Sequence, residues 1–323
     1  MRLGAGGPAV FPLGFGCMGL SGVYGATDDA ESIRTIQTAV DRGVTLFDTG
    51  DFYGMGHNEM LLGRALVGRR DKVRVSVKFG PLRGPDGAFL GIDTRPAAVK
   101  NFAAYSLKRL GVDVIDVYRP ARLDPAVPIE DTVGAVVDLV KAGYVRHLGL
   151  SEVGVDTIRR AHRVHPVADL QIEYSLASRG PETSIFPVLA ELGIGATLYG
   201  VLSRGLLAGR KPAGPGDARA SYPRFGAAHR EKNDALVASL ERFARERSLT
   251  PGGLAIAWAL AKQPTMVPVI GMKNVAQLDD ALAVLEHPLS KADLTALDAL
   301  VPPGAFAGER YGAEQMRALD SER

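Results

Sequence analysis

Short apolar runs alternate with helical patterns about eight times along this chain, and this alternation restricts the possible folds more than any other feature. A strand, a helix and a second strand in succession form a right-handed unit of a parallel sheet, and eight such units suit a closed barrel. The run Gly-Phe-Gly-Cys-Met-Gly at 14–19 overlaps the predicted strand at 13–18, and the next predicted helix begins only at 28. It is therefore not the strand–turn–helix fingerprint of a doubly wound dinucleotide-binding sheet. We therefore predict one α/β domain over residues 1–323, a (β/α)8 TIM barrel with an N-terminal β-hairpin and extra C-terminal helices.

The predicted elements follow from apolar periodicity and from the Gly and Pro residues between them. After short strands at 10–12 and 13–18, strands are expected at 44–47, 73–79, 112–118, 145–150, 168–172, 194–199 and 266–270. Helices are expected at 28–42, 58–67, 96–110, 128–142, 155–164, 182–192, 231–247, 251–261, 275–285 and 291–300. The loop at 200–226 is long, basic and rich in Gly and Pro, which predicts a lid over the site.

Composition argues against several functional classes. The 323 residues are 46% hydrophobic and 23% charged, which is ordinary for a globular protein. A net charge of +2 without a dense basic block argues against a nucleic-acid partner, and no apolar run is long enough to span a bilayer. The N-terminal residues lack a signal-peptide core and Cys17 is the single cysteine, so we expect a cytoplasmic protein without a disulfide. The six His and one Cys show no metal-ligand spacing, and the oligomeric state stays open.

Three residues with acid–base chemistry lie at the ends of successive predicted strands. Asp48 and Tyr53 follow the run at 44–47, and Lys78 is near the end of the strand at 73–79. If these strands are parallel neighbours, a phenol, an ammonium and a carboxylate meet, which suits proton transfer to a carbonyl oxygen. Lys78 would lower the pKa of the phenol, and Asp48 would hold and offset the Lys charge. The alternative is that Asp48 caps a helix, Tyr53 is a packed aromatic residue and Lys78 is a solvated loop end.

Six runs, in this order and each at a predicted strand end, resemble motifs of the aldo-keto reductase family. They are LGFGCMG at 13–19, FDTGDFYG at 47–54, VK at 77–78, KAGYVRHLGLS at 141–151, QIEYS at 171–175 and VPVIG at 267–271. The resemblance covers nearly the whole chain and implies reversible, NADPH-dependent reduction of an aldehyde or ketone to the alcohol. It implies that Tyr53 is the general acid, that Lys78 lowers its pKa, and that Asp48 pairs with Lys78.

The same resemblance implies an NADPH site. Ser151 and Gln171 are expected to bind the nicotinamide carboxamide, and Tyr199 to stack on the ring, with a core tyrosine as the alternative. Lys273 is expected to meet the ribose 2′-phosphate at a helix N-terminus, which favours NADPH over NADH, with a solvated Lys as the alternative. The loop at 203–205 is expected to fold over the pyrophosphate. The remaining cofactor positions that the resemblance implies are Gly16, Cys17, Met18, Asp48, Gly200, Leu202, Ser203, Arg204, Gly205, Ile270, Gly271, Gln277 and Asp280.

Two positions depart from the family pattern. Glu152 replaces the usual Asn after Ser151, and Ala121 stands where many relatives carry the His that polarises the substrate carbonyl. Loss of that donor costs about a hundredfold in rate, or the space admits a bulkier or polar substrate. Tyr53, Ala121 and Arg122 are therefore the expected substrate-binding residues. For Arg122, a salt bridge with Asp124 or another carboxylate is the alternative.

The run Ala-Arg-x-Asp-Pro at 121–125 also resembles the branch of the family that includes pyridoxal reductases (pyridoxine 4-dehydrogenases). In pyridoxal, an adjacent phenolic hydroxyl donates an intramolecular hydrogen bond to the aldehyde oxygen, which lessens the need for a His. The competing function is an NADPH-binding regulatory module of the potassium-channel β-subunit type, with little turnover and a protein partner. The intact Tyr53, Lys78 and Asp48 favour the enzyme, while Ala121 leaves the regulatory module open.

Overall fold

Parallel strands form a closed barrel at the centre of the structure, a computed structural model that describes residues 1–212 and 217–323. The strands in these residues are β1 (Gly14–Gly16), β2 (Leu46–Gly50), β3 (Arg74–Phe79), β4 (Pro81–Arg83), β5 (Phe89–Ile92), β6 (Ile115–Pro120), β7 (Val145–Ser151), β8 (Val167–Glu173), β9 (Gly195–Tyr199) and β10 (Val267–Gly271). Around the barrel the order is β1, β10, β9, β8, β7, β6, β3 and β2, and every neighbouring pair is parallel. The predicted eight-stranded barrel is confirmed.

Helices connect the strands and cover the barrel. They are α1 (Asp29–Asp41), α2 (His57–Ala65), α3 (Pro96–Leu110), α4 (Ile129–Lys141), α5 (Val155–Val164), α6 (Ile185–Leu192), α7 (Ala227–Arg245), α8 (Pro251–Lys262), α9 (Val275–Ala283), α10 (Lys291–Leu300) and α11 (Ala313–Arg317). The last two are the extra C-terminal helices that the sequence predicted in part. Within the described ranges, no helix combines the length and the apolar character needed to cross a bilayer.

The N-terminal hairpin is smaller than predicted. Residues 10–12 form no strand, and the hairpin is reduced to one antiparallel bridge between Arg2 and Ala9 with a hydrogen bond of 3.0 Å from Leu3 N to Pro8 O. The glycines at 4, 6 and 7 weaken strand pairing there. An unpredicted antiparallel hairpin, β4 with β5, lies instead between β3 and α3. Its Gly and Pro residues obscured the alternating pattern of a strand.

The parallel register sets predicted site residues side by side at the carboxyl ends of the barrel strands, which we call the rim. Asp48 is level with Gly16 and Ser76, and Lys78 is level with Gly50 and Arg119. On the other side of the barrel, Gln171 is level with Ser151 and Thr197. Residues far apart in sequence therefore share one end of the barrel, where barrel enzymes carry out chemistry.

The loop predicted as a lid runs across part of the rim. It contains short 3₁₀ segments at Ser203–Ala208, Ala218–Ser221 and Pro223–Phe225. Residues 213–216 of this loop lie outside the described residues. Whether the loop closes on a ligand stays a prediction.

Candidate active site

A buried ion pair forms the floor of the site. The Lys78 ammonium donates a hydrogen bond to Asp48 Oδ2, and the two residues are only 4% and 5% exposed. Asp48 Oδ1 accepts hydrogen bonds from Ser76 Oγ at 2.9 Å and from Gln171 Nε2 at 3.0 Å. Burial lowers the pKa of Lys78, while the charge and hydrogen bond of Asp48 act against that lowering. Both carboxylate oxygens have donors, which offsets the cost of burying the charge.

Tyr53 lies beside this ion pair at the start of a tight turn. Lys78 Nζ is 5.1 Å from the centre of the Tyr53 ring. The next three residues, 54–56, all have positive φ, at 54°, 52° and 95°. Gly54 is required in this turn because a Cβ atom there would lie 2.9 Å from Ser21 Cβ. The backbone therefore holds the phenol next to the ion pair, and the structure brings the three predicted acid–base residues together.

The electrostatics of Tyr53 differ from the expectation. Burial, followed by the charge of Asp48, raises the pKa of Tyr53 well above its ordinary value, and Arg122 acts to lower it. The net direction is therefore opposite to the expected lowering, because burial and the Asp48 charge outweigh the cations near the phenol. The phenol is therefore protonated at neutral pH, which is the form that a proton donor needs.

A second buried carboxyl group lies just before the Tyr53 turn. Asp51 is 9% exposed, and within the described ranges its Oδ1 has no hydrogen-bond partner. Nearby Glu59 is fully buried and accepts a hydrogen bond of 2.5 Å from Arg109 Nε. Burial raises the pKa of Asp51 from 3.8 to about 8, with Glu59 acting in the same direction and Arg109 in the opposite one. Asp51 is therefore mostly a neutral acid at pH 7.

Replacing Asp51 by Asn is expected to make folding stability less sensitive to pH. Because the pKa is raised in the folded state, folding takes up a proton between pH 3.8 and about 8. Stability is greatest below this window and falls by about 1.4 kcal/mol per pH unit as pH rises through it. Urea unfolding at about pH 5 and about pH 8 should show a loss in the wild type that Asp51→Asn largely avoids. An equal loss in Asp51→Asn and in the exposed control Asp71→Asn would contradict this.

Tyr199 ends β9 and is held by the chain that follows α10. Its hydroxyl lies 3.1 Å from the Tyr311 hydroxyl and accepts a hydrogen bond of 3.2 Å from Arg310 Nη1. Both partners belong to residues 305–323, which we call the C-terminal segment. Sequence reasoning missed them because this segment has no apolar period. The one available signal was the Arg-Tyr pair between glycines at 308 and 312.

Glu152 anchors the C-terminal segment to the rim. It is fully buried, and its carboxylate accepts hydrogen bonds of 2.9 and 2.6 Å from Arg310 and of 2.6 Å from Ser321 Oγ. Burial acts to raise the pKa of Glu152, but the hydrogen bond and charge of Arg310 bring it to about 2. The Glu that stands in place of the expected Asn therefore holds a segment that covers the rim.

Arg204 also has a partner that the sequence did not indicate. Its guanidinium donates to Glu173 Oε2 at 2.9 Å and lies 4.4 Å from the centre of the Tyr311 ring. Ser203 and Arg204 have φ of 45° and 56°, and Gly205 follows at 94°. Glu173 is 2% exposed and needs a cation, which explains why Arg204 turns toward it. The loop expected at the pyrophosphate thus forms a tight turn whose cation, Arg204, is paired with Glu173, and its contact with a phosphate stays a prediction.

Lys273 lies in a group of cations at the end of β10. Its ammonium donates to the backbone oxygens of Tyr24 at 2.8 Å and Gly25 at 3.3 Å. The Arg219 guanidinium lies 5.8 Å from the centre of the Tyr24 ring. Burial lowers the pKa of Lys273, and the charges of Arg219 and Arg210 lower it further, against Asp217. Mutual repulsion among these cations is relieved by an anion, so the donor set fits a phosphorylated dinucleotide.

Gln277 and Asp280 accept hydrogen bonds from residues next to the N-termini of α9 and α8. Gln277 Oε1 accepts from Lys273 N at 2.8 Å. The Asp280 carboxylate accepts from Thr250 Oγ1 at 2.9 Å, and Thr250 is the N-cap of α8. The sequence suggested ligand contacts for both residues, and those contacts stay predictions.

The other positions expected at a cofactor also lie on the rim. Gly16 is level with both Gly271 and Asp48, and Cys17 N donates to Asp48 O at 2.9 Å. Burial raises the pKa of the Cys17 thiol, which argues against a nucleophilic thiolate. Gln171 is bonded to Asp48, as described above. The remaining predicted positions at or just after strand ends are Met18, Ser151, Gly200, Leu202 and Ile270.

Ala121 and Arg122 follow β6 on the side of Tyr53. Ala121 is 2% exposed, and its N–H donates to Phe79 O at 2.8 Å. The Arg122 guanidinium donates hydrogen bonds to Ala121 O at 2.6 Å and to the Tyr311 hydroxyl at 3.4 Å. In the described residues Arg122 forms no salt bridge with Asp124 or with another carboxylate, so that alternative is wrong. The Asp124 carboxylate instead accepts from the backbone N–H groups of Thr94 and Ala126 at 3.2 and 2.9 Å.

The geometry of the rim agrees with comparisons against known proteins. The model of the Aldo/keto reductase family matches residues 12–302. A probable aldo-keto reductase 1 of Glycine max is 40% identical over 318 residues, which are 96% of this chain and 91% of that protein. The Schizosaccharomyces pombe aldo-keto reductase yakc, named with NADP(+), is 35% identical over 315 residues, covering 95% and 93% of the two chains.

Two solved structures share the arrangement of strands and helices with this chain. The glycerol dehydrogenase from Gluconobacter oxydans superposes with a TM-score of 0.84 at 26% identity, covering 98% of this chain and 95% of that one. An aldo-keto reductase from Bacillus halodurans superposes with a TM-score of 0.78, also at 26% identity, over 96% and 98% of the chains. The similarity therefore extends over nearly the full length of each protein.

Proposed function

Because this chain belongs to the aldo/keto reductase family, we propose that it reduces an aldehyde or ketone to the alcohol with NADPH, using Tyr53 as the proton donor. The observation that carries the proposal is the position of Tyr53 beside the buried Lys78–Asp48 ion pair at the barrel rim. A protonated phenol next to a rigid ammonium is a suitable acid for a carbonyl oxygen that gains negative charge.

Each residue of the site has a separate role in proton transfer. Tyr53 gives its proton to the carbonyl oxygen, and the Lys78 ammonium stabilises the phenolate that remains. Asp48 keeps Lys78 in place and Ser76 and Gln171 keep Asp48 in place, so little reorganisation is needed during reaction. The cofactor, when bound, supplies the two electrons of the reduction as a hydride to the carbonyl carbon.

The chain is an NADP-dependent oxidoreductase by family, and its rim offers groups that fit the cofactor. We propose that Lys273, Arg219 and Arg210 hold the phosphate groups, since the charges of both arginines act on Lys273 and, in the described residues, Arg219 is paired with Asp217 at 2.6 Å. Tyr199 would face the nicotinamide ring, and Ser151 would contact its carboxamide. The remaining predicted cofactor positions would complete the binding surface.

Replacing Lys273 by Ala is expected to weaken NADPH binding by about tenfold to a hundredfold, the value of one hydrogen bond to a charged group. NADH lacks the 2′-phosphate, so its dissociation constant should change far less. Fluorescence titration of both cofactors measures the effect, with the exposed Lys72→Ala as the matched control. Equal weakening of NADPH and NADH in Lys273→Ala would show that the residue supports the Tyr24 loop and not the phosphate.

The first test of the activity is NADPH oxidation with purified protein across aromatic aldehydes, short ketones and pyridoxal. Pyridoxal is a candidate because its own phenolic group compensates for Ala121, and a cytoplasmic location would suit such a substrate. Turnover with at least one carbonyl compound is expected. The regulatory module is not favoured, because the relatives named above are reductases and a dehydrogenase. Tight NADPH binding with no turnover of any carbonyl compound would reverse that preference.

A further inference from the structure

We propose that Arg122 binds a negatively charged group next to the substrate carbonyl, so that the preferred substrates are anionic carbonyl compounds such as 2-oxo acids. The inference rests on the proposed reductase function and specifies the substrate class of the same site. It starts from the guanidinium on the β6 side of the rim, at the residue directly after the position where a His was expected.

Arg122 is a partly buried cation that forms no ion pair in the described residues. Its hydrogen bonds go to two uncharged groups, the Ala121 carbonyl at 2.6 Å and the Tyr311 hydroxyl at 3.4 Å. Among the ion pairs of residues 1–212 and 217–323, none includes Arg122. A guanidinium is costly to desolvate unless an anion pairs with it. A charged ligand is therefore the natural partner.

The neighbouring arginines differ from Arg122 in this respect. Arg204 pairs with Glu173 at 2.9 Å, and Arg310 pairs with Glu152 at 2.6 Å. Glu152 also accepts from Ser321, so its two oxygens are already occupied. Arg122, Arg204 and Arg310 are thus three cations beside two buried carboxylates, Glu152 and Glu173, and Arg122 is the one that forms no ion pair in the described residues. That balance attracts an anion into the site.

Arg122 is also close to the proton donor and is held in place. Its charge acts on Tyr53 and lowers the pKa of the phenol against the effect of burial. The Tyr311 ring lies 6.0 Å from the Arg122 guanidinium carbon and 4.4 Å from that of Arg204. The C-terminal segment therefore fixes the direction of Arg122. A planar guanidinium in a fixed position binds a carboxylate through two parallel hydrogen bonds.

This arrangement also accounts for Ala121. An anion bound by Arg122 places the adjacent carbonyl oxygen near both the guanidinium and the Tyr53 phenol. The positive charge then stabilises the oxygen as it becomes negative, which is the contribution that a His at position 121 would make. A small residue at 121 leaves room for the anionic group.

The test compares phenylglyoxylate, whose carboxylate adjoins a ketone, with its uncharged methyl ester. The ratio of kcat/KM for the acid to kcat/KM for the ester is measured in the wild type, Arg122→Gln and Arg122→Lys. In Arg122→Gln this ratio should fall by about tenfold to a hundredfold, the value of a charged hydrogen-bonded pair. Arg122→Lys should keep part of the preference because it keeps the charge. Arg163→Gln, an exposed change on α5, is the matched control.

A second pair of probes shows whether the anionic group that Arg122 binds is a carboxylate or a phenolate. Salicylaldehyde, as its phenolate, is compared with 2-methoxybenzaldehyde in the same variants. A fall in the first ratio points to a carboxylate, and a fall in this second ratio points to a phenolate like that of pyridoxal. Either fall supports the inference. An unchanged ratio for both pairs in Arg122→Gln overturns it.

Failure of the inference is distinguishable from failure of the proposed function. If the methyl ester and the methoxy compound are reduced but neither kcat/KM ratio changes in Arg122→Gln, the proposed reductase function is supported and the anion site is refuted. If no carbonyl compound is reduced, the proposed function falls, and calorimetric binding of phenylglyoxylate then decides the inference. Binding that is lost in Arg122→Gln and kept in Arg163→Gln supports the anion site, while equal binding in both refutes it.

Discussion

Replacing Tyr53 by Phe is expected to lower kcat for carbonyl reduction by between about a hundredfold and ten-thousandfold, the usual contribution of a positioned general acid. The variant keeps the ring, and hence its packing beside Lys78 and Phe52. It loses only the hydroxyl that gives the proton to the carbonyl oxygen. The rate is measured as NADPH oxidation at saturating carbonyl compound. The dissociation constant of NADPH, from fluorescence titration, should stay the same.

The control for this change is Tyr105→Phe, which removes a phenol that is 56% exposed on α3. Its kcat should match the wild type. The raised pKa of Tyr53 adds a second expectation, since the phenol keeps its proton as pH rises. Reduction by the wild type should therefore not decline through loss of this proton below its ordinary pKa of about 10. A Tyr53→Phe variant with the wild-type rate would show that the proton comes from another group.

Local chain chemistry explains which parts of the fold were predictable. α3 has Pro96 in its first turn and Gly111 at its end, where φ is 64°, and its predicted bounds agree with the structure. The acid–base residues were predictable for a related reason. Asp48, Tyr53 and Lys78 each lie at or near the end of a strand, and parallel strands in a barrel bring their ends together.

The charge partners of Glu152 and Glu173 were not predictable, because they depend on contacts between distant parts of the chain. Arg310 and Glu152 are 158 positions apart, and no periodic pattern relates them. Arg204 was expected at a phosphate but is bonded to Glu173, since a buried carboxylate competes for the nearest cation. The pairing of Lys78 with Asp48 was expected, but the burial of Tyr53, which raises the pKa of its phenol, was not. A list of strand-end residues thus identifies the members of a site, whereas burial and the contacts of distant segments require the three-dimensional structure.

Another buried ion pair lies inside the barrel and connects to the site. Arg119 and Asp169 are both fully buried, with Arg119 Nη1 2.9 Å from Asp169 Oδ2. Arg119 Nη2 donates to Ser76 Oγ at 2.9 Å, and Ser76 Oγ donates to Asp48. Burial raises the pKa of Asp169, and the charge of Arg119 opposes this. The guanidinium therefore favours the charged form of the Asp169 carboxyl against the effect of burial, and it supports Ser76, which holds Asp48.

Replacing Arg119 by Met is expected to lower the free energy of unfolding by about 3–5 kcal/mol, because it leaves the Asp169 charge buried without its cation. Urea unfolding measures this, with the exposed Arg34→Met as control. The double variant Arg119→Met/Asp169→Asn removes both charges and keeps the shape at position 169, so it should recover much of the loss. A double variant that is as unstable as Arg119→Met would mean that packing of the Arg119 side chain, and not the unpaired charge, stabilises the barrel. Recovery in the double variant would instead show that these charges matter as a pair, as the Lys78–Asp48 pair does at the rim.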